Sequence, residues 1–123
     1  MEQAVHDVLW KALDGDLDVY ESRPVTEVGY PFADFGDFDS GFFGTKSGLL
    51  TQVSVTVNFW DTEENRLRVS DLAHGFLWKA LGVHQAYGHE VTLRAEQSSV
   101  VLSLDRSVTP PVWRGMVVLV FSV

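Results

Sequence analysis

The chain has 123 residues, 46% of them hydrophobic, which is enough for one domain with a core and excludes a mainly disordered protein. It contains no cysteine, which excludes disulfides, iron–sulfur clusters, thiolate zinc sites and cysteine nucleophiles. Its net charge of −8 arises within residues 1–39, which hold ten acidic and two basic residues, so no basic groove for nucleic acid is present.

The first predicted elements lie in this acidic part of the chain. Residues Glu2–Leu13 are predicted to form a helix, because their apolar side chains share one stripe. The stripe consists of Val5, Leu9, Ala12 and Leu13. Asp14-Gly15 predicts the end of the helix, since glycine readily takes the left-handed conformation found there. A short extended segment is expected around Leu17–Tyr20, with Pro24 breaking it.

The central part of the chain predicts two strands separated by a loop. Tyr30–Phe35 is typical of a strand, and the glycine-rich stretch Phe38–Gly48 is predicted to be a long flexible loop. This loop carries the adjacent pair Phe42 and Phe43. Leu49–Trp60 is the clearest strand, because apolar residues alternate with serine, threonine and asparagine. We expect one buried and one polar face for it.

A second helix is predicted after that strand. Asp61 and Glu64 have the spacing of a capping box, in which two side chains satisfy the first backbone amides of a helix. The apolar stripe then runs to about Leu81, where Gly82 ends the helix. Its members are Val69, Leu72, Ala73, Phe76 and Ala80.

The last third of the chain predicts two more strands. His84–His89 is expected to form a turn, followed by a strand-like stretch over Glu90–Asp105. The apolar parity changes within this stretch, so we expect a bulge or bend near Gln97–Ser99. Val112–Val123 is predicted to be the closing strand.

The element order α-β-β-β-α-β-β predicts an α+β fold. We expect a single domain over residues 1–123, with two helices packed on one face of a largely antiparallel sheet of four or five strands. The closing strand is apolar on both sides, so it requires cover on both. Either the Phe42/Phe43 loop folds over its second side or another subunit does, and the sequence favours neither.

The candidates for catalytic chemistry are weak. Asp34, Asp37 and Asp39 are able to bind a hard cation through oxygen, but three aspartates at a strand end also keep a phenylalanine-rich segment soluble. The tripeptide DFG at 34–36 lacks the other motifs of a kinase, and "GFFGTKS" has the wrong spacing for a phosphate loop. We therefore expect no enzyme, and we assign neither a metal nor a cofactor.

The order of motifs along nearly the whole chain resembles the tail-terminator, or tail-completion, proteins of long-tailed bacteriophages, which join tail to head. The motifs are "YPFADFG", a long loop, "VSVTVNFW", an amphipathic helix, "VTLRAEQSSVVLSLD" and "WRGMVVLVFSV". The matching positions are Pro31, Phe32, Ala33, Phe35, Gly36, Trp60, Arg114 and Gly115. Ala33 departs from the pattern, in which a larger β-branched residue is expected.

The resemblance implies a structural virion protein rather than an enzyme. Such a protein forms a ring, expected to be a hexamer, on the head-proximal end of the tail tube, where it stops tube polymerisation and contacts the head connector. Its partners are sister copies, the tail tube protein and the connector protein, and DNA passes through the channel without specific binding. No membrane is involved. We expect assembly in the host cytoplasm and a final location at the head–tail junction of the virion.

Three groups of candidate site residues follow. The partner-docking loop is predicted to use Phe42, Phe43 and Lys46. The subunit interface is predicted to use Trp113, Arg114, Val117, Leu119 and Phe121, although a monomer core explains the apolar members equally well. The channel or its rim is predicted to use Asp14, Asp16 and Asp18. The alternatives are another neck or connector component of the same particle and a small metal-dependent hydrolase using Asp34, Asp37 and Asp39.

Overall fold

The computed structural model describes residues 2–13, 17–21, 29–45, 48–86 and 89–122. The helices are α1 (Glu2–Leu13) and α2 (Arg66–Leu81). The strands are β1 (Asp18–Tyr20), β2 (Phe32–Thr45), β3 (Gly48–Thr62), β4 (Gln85–Ala86), β5 (His89–Glu90), β6 (Thr92–Leu93), β7 (Ser99–Asp105) and β8 (Val112–Ser122). Short 3₁₀ turns cover Glu63–Asn65 and Ala95–Gln97. The predicted helix end at Asp14-Gly15 and the break at Pro24 lie outside the described residues.

One sheet organises the described part of the chain. Its strands follow the order β1-β2-β3-β8-β6, and β7 also pairs with β8, which makes six strands in these residues. All pairs are antiparallel except β1 with β2. The prediction of an α+β fold with a largely antiparallel sheet is confirmed, with one strand more than expected. The small pair β4–β5 stands where a turn was predicted over His84–His89.

Both helices pack on the same face of this sheet. The predicted stripes of α1 and α2 are buried against the inward side chains of β3 and β8. Because side chains alternate along a strand, β3 buries Val53, Val55, Val57 and Phe59 on this helix-covered face and directs its other side chains away. We call the opposite side of the sheet the open face. No helix in the described residues is long and apolar enough to cross a bilayer.

The predicted loop Phe38–Gly48 is wrong. The backbone of Phe38–Thr45 continues β2 and pairs residue by residue with β3, ending at the pair Thr45↔Gly48. A register shift between Phe35 and Phe38 marks a bulge, after which the ladder resumes. The glycines of this stretch are typical of a loop, but here every second residue directs its backbone groups to β3 in a long hairpin.

The predicted capping box at Asp61 and Glu64 is also wrong. The chain first makes the turn Glu63–Asn65, and α2 begins at Arg66 with no side-chain hydrogen bond from the capping residue. Asp61 instead accepts hydrogen bonds from Thr62, Asn65 and Arg68. The predicted end of the helix at Gly82 is confirmed.

The stretch predicted as one strand over Glu90–Asp105 is interrupted, as the change of parity indicated. The interruption is the 3₁₀ turn Ala95–Gln97 between β6 and β7, rather than a bulge within one strand. Both β6 and β7 lie along the same side of β8 and use different parts of it.

Candidate functional site

The open face of the sheet carries a buried polar network at its centre. Asp34 on β2 and Asn58 on β3 are only 2% and 6% exposed, and they are partners in the strand register. Asn58 Nδ2 donates to Asp34 Oδ1 at 2.9 Å, and Trp60 Nε1 donates to Asp34 Oδ2 at 2.8 Å. Each carboxylate oxygen therefore has a directed donor, which a buried charge requires.

Arg114 on β8 extends the network to a third strand. Its Nε donates to Asn58 Oδ1 at 2.8 Å, and its guanidinium carbon lies 5.6 Å from the ring centroid of Trp60. The amide of Asn58 thus connects a carboxylate on one side with a guanidinium on the other. This arrangement fixes the register of three neighbouring strands, because a shift of one residue would leave buried polar groups without partners.

A small apolar cluster covers one end of the open face. Its buried members are Phe32, Trp60 and Val112, and Tyr20 and Val108 pack against them. Part of the second side of β8 is therefore covered by its own chain. Two other residues on that side, Met116 and Val118, are half-buried. The Phe42/Phe43 segment does not fold over β8, since its backbone pairs on the far side of β3.

The hairpin of β2 and β3 extends beyond the end of β8. The last described pair between β3 and β8 is Gln52↔Ser122, whereas β2 and β3 continue to pair as far as Thr45↔Gly48. We call residues 42–45 and 48–51 the arm. Four residues in a strand span about 13 Å, so the arm projects well past the described end of the neighbouring strand.

The structure separates the predicted interface residues into two groups. Val117, Leu119 and Phe121 are 0% exposed and belong to the core beneath the helices. The folded protomer thus corrects the prediction for these three, because they offer no surface to another subunit. Trp113 and Arg114 remain half-buried on β8.

Trp113 lies beside the start of α2. Its Nε1 donates to the carbonyl oxygen of Glu63 at 2.8 Å, and the guanidinium of Arg66 lies 5.4 Å from its ring centroid. The indole therefore ties β8 to the turn before the helix and leaves part of its surface accessible.

Other predicted site residues are only partly described. Phe42 and Phe43 belong to the arm, and Asp37 and Asp39 belong to β2, but only their backbones are described. Asp18 is exposed on β1. Asp14, Asp16 and Lys46 lie outside the described residues. The roles of Asp14, Asp16 and Asp18 at the channel and of Phe42, Phe43 and Lys46 in docking stay predictions.

An ion pair at the start of α2 joins the buried Asp61 to the half-exposed Arg68, whereas the sequence predicted a capping role for Asp61. Asp61 is 0% exposed and accepts from Thr62 N at 2.7 Å, from Arg68 Nη2 at 3.0 Å and from Arg68 Nε. Burial raises the pKa of Asp61, but the hydrogen bonds from Arg68 and Thr62 and the positive charge of Arg68 together lower it below its ordinary value. Asp61 is therefore charged and anchors the helix to β3.

A second feature was missed by sequence reasoning, at the edge of the sheet beneath α1. His6 lies against the rings of Trp10, Phe35 and Phe38 at centroid distances of 4.8–5.5 Å. Its ring nitrogens are 3.0 Å from Asp7 and 2.9 Å from a Glu21 oxygen. A groove of about 320 Å³ opens beside these residues. The available signal was the aromatic residues of β2, of which Phe35 was predicted to lie in a strand and Phe38 in a loop.

The open face has no constellation typical of an enzyme in the residues described. No group of three or more histidine, aspartate or glutamate residues able to hold a metal occurs among them. Among Asp34, Asp37 and Asp39, only Asp34 has a described side chain. Its two carboxylate oxygens accept hydrogen bonds from Asn58 and Trp60. The hydrogen bonds among Asp34, Asn58, Trp60 and Arg114 hold three strands in register.

Comparison with known proteins gives a structural likeness and no sequence family. No model of a protein family matches the chain, and no curated protein matches it either. Among solved structures, the chain is similar to one described as "Virion of native gene transfer agent (GTA) particle". The TM-score is 0.66 at 13% sequence identity, over 99% of this chain and 92% of that one. At this identity, the likeness shows a shared fold.

Proposed function

We propose that this chain is a structural protein of a phage-like virion, and that it acts as the tail terminator. In this role, a ring of copies, expected to be a hexamer, caps the head-proximal end of the tail tube, stops tube polymerisation and joins the tail to the head connector. The observation that carries the proposal is the likeness, over nearly the whole of both chains, to a chain in the virion of a gene transfer agent particle. The motif order of the sequence supports the more specific role.

The open face supports a structural role over a catalytic one. A hydrolase that uses Asp34, Asp37 and Asp39 requires the Asp34 carboxylate for a metal, but Asn58 and Trp60 already donate to it. Titration calorimetry with Mg²⁺, Mn²⁺ and Ca²⁺ tests this alternative. Saturable binding that is lost when Asp37 and Asp39 are replaced by asparagine would favour it.

The arm is the part of the protomer that we assign to partner docking. It projects past the described end of β8, so it is placed to reach a neighbouring protein. Phe42 and Phe43 supply apolar anchors and Lys46 a charge, and the tail tube protein or the head connector is the partner. Trp113 and Arg114 remain the candidates for contact between copies, and Asp14, Asp16 and Asp18 for the channel or its rim. An acidic rim suits a channel through which DNA passes without binding.

The test is removal of the gene from cells that produce the particle, followed by electron microscopy. A tail terminator predicts overlong tails or tails without heads, and complementation with the wild-type gene should restore normal particles. Another neck or connector component predicts tails of normal length that fail to join filled heads. Tails and particles of normal appearance would contradict both roles.

A further inference from the structure

Strand β7 forms an edge of the sheet. It pairs with β8 through seven consecutive residue pairs, and no strand pairs with its other side in the part of the chain that the structure describes. An edge strand presents a row of backbone donors and acceptors that another strand is able to bind. The register of β7 with β8 determines which of these groups point outward.

Two hydrogen bonds at Val120 fix which residues of β8 face β7. The carbonyl oxygen of Val120 accepts from Arg94 N at 2.7 Å, and its N–H donates to Ser98 Oγ at 3.2 Å. Both partners lie on the side of β6 and β7. Because backbone groups alternate in direction along a strand, the other even-numbered residues of β8 also face β7.

The register then assigns the direction of each residue of β7. Val101 is the partner of Met116, an even-numbered residue of β8, so the backbone groups of Val101 point towards β8. The residues on either side point the opposite way. The backbone groups directed outward from the sheet are therefore those of Val100, Leu102 and Leu104.

This edge lacks most of the features that normally prevent pairing with another chain, since its one charged residue, Asp105, stands at its end. The sequence of β7, SVVLSLD, contains no lysine, proline or glycine, and its register with β8 is continuous. On the open face it also presents Val101, which is 47% exposed. Natural edge strands are usually interrupted by charge, proline or a bulge unless a partner covers them.

On the opposite side of the sheet, a stretch of similar length has no strand along its outer side among the described residues. β1 pairs only with residues Phe32–Asp34 of β2. Beyond the bulge, the eight residues Phe38–Thr45 have β3 as their sole strand partner among the described residues. The same alternation directs the backbone groups of Ser40 away from β3, since the partner of Ser40 is Val53, which faces β8.

We infer that β7 of one copy pairs with residues Phe38–Thr45 of β2 in the next copy, so that the sheet continues from protomer to protomer. The inference rests on the proposed ring and names the contact that builds it. This contact uses the outward backbone groups of Phe38–Thr45, whereas the side chains of Phe42 and Phe43 stay assigned to the tail tube protein or the connector. Within the protomer, β7 and β2 run in opposite directions, because three antiparallel steps separate them.

The two segments lie at different heights along the strands, because Leu102 is level with Ala33 whereas Ser40 is level with Phe121. Strands in a closed sheet tilt against its axis and are staggered from copy to copy, which is the offset that this contact requires. Strand directions continue to alternate from copy to copy, so the new pair is antiparallel. Each contact joins the β7 edge of one copy to the β2 edge of the next. Every copy therefore has two neighbours, which allows a ring to close.

The first test removes one outward N–H group from β7. Leu102→Pro deletes that donor without deleting a bond to β8, and Leu102→Ala is its control, since both substitutions lose the same leucine packing. By analytical ultracentrifugation we expect wild type and Leu102→Ala to form oligomers and Leu102→Pro to remain at the protomer mass of 13.7 kDa. Equal assembly of the two variants would overturn the inference.

The second test uses the other edge and a mixture. Ser40→Pro should also stay monomeric, whereas Ser40→Ala should assemble. Mixed in equal amounts, Leu102→Pro and Ser40→Pro should form particles of two chains and no larger, because one intact edge of each type remains. Dimers of Ser40→Pro alone would show pairing between two β7 strands and contradict the head-to-tail contact. A wild type that stays monomeric up to millimolar concentration would also overturn it.

Amide hydrogen exchange on wild type gives a result that is independent of whether the proline variants fold. In the monomer, the amides of Val100, Leu102 and Leu104 should exchange fast and those of Val101 and Ser103 slowly. In the oligomer all five should be slow. The particle assay separates this inference from the proposed function: normal capping by Leu102→Pro would disprove the edge contact and leave the tail-terminator role intact.

Discussion

Trp60 donates a hydrogen bond from its indole nitrogen to Oδ2 of Asp34, 2.8 Å away, on the open face of the sheet. Both residues are nearly inaccessible to water, at 4% and 2% exposure. A buried carboxylate is stable only when its oxygens have donors, and a buried indole nitrogen needs an acceptor. The pair therefore satisfies two otherwise costly groups at once.

Replacing Asp34 by alanine should destabilise the protomer by about 3 kcal/mol. The substitution removes the acceptor that Trp60 Nε1 and Asn58 Nδ2 share, and losing the acceptor of a buried donor costs about 1–3 kcal/mol. Urea unfolding measures the loss. Asp18→Ala is the control, because Asp18 is exposed on the neighbouring strand and should change the free energy of unfolding by less than about 0.5 kcal/mol. Similar losses for the two variants would contradict the network.

The ion pair between the buried Asp61 and the half-exposed Arg68 predicts that stability depends on pH. The pKa of Asp61 in the folded chain lies below its ordinary value of 3.8. The unfolded chain therefore takes up the proton first as pH falls. The stabilisation is complete above 3.8 and is lost as pH drops below that value towards the folded pKa.

Arg68→Met should expose this dependence, since methionine keeps part of the aliphatic stem and removes the charge. We expect a lower free energy of unfolding at neutral pH, because Asp61 then remains buried without its cation. The difference from wild type should shrink below pH 3.8. Arg94→Met is the matched control: it removes a 2.9 Å pair with Glu96 that is exposed on both sides, so its effect should be small at every pH. A pH-independent loss for Arg68→Met would contradict the assignment.

Gly115 allows α2 to approach β8 closely. A Cβ atom there would lie 2.8 Å from Val69 Cγ1 and 3.3 Å from Ala73 Cβ, both on the buried side of the helix. Gly115→Ala should therefore cost about 2 kcal/mol. Val69→Ala should cost less in the Gly115→Ala background than in wild type, because it removes the nearest contact. Gly75→Ala, with open space around its Cβ, should instead stabilise α2 by about 0.5–1 kcal/mol.

The sequence predicts the helices and the central strand because the periodicity of apolar residues is strong in these elements. The apolar stripe of α2 and the apolar alternation of β3 each determine which side of the element is buried. The structure confirms both predictions. The α+β class follows from the element order. The core position of Val117, Leu119 and Phe121 was one of two open interpretations, since a strand apolar on both sides does not reveal which side the helices cover.

The sequence did not predict the features that depend on pairing between distant residues. The stretch Phe38–Thr45 has glycines and no clear alternation, so only its ladder with β3 identifies it as a strand. The Asp34 network joins residues 24 and 26 positions apart, and nothing local marks Asn58 as buried rather than solvated. Asp61 had the spacing of a cap, but its partner Arg68 lies a further turn along the helix.

Substitutions in the arm should impair particle assembly without destabilising the fold. Phe42→Ser combined with Phe43→Ser changes the part of the hairpin that lies past the described end of β8, so we expect a urea midpoint close to that of wild type. The number of complete particles should fall by roughly tenfold or more, as expected when apolar anchors are removed from an interface. Leu67→Ser is the matched control, because it removes a highly exposed apolar side chain from α2 and should leave both properties unchanged. Unfolding of the double variant would show that the phenylalanines belong to the core, and normal particle numbers would show that the arm docks no partner.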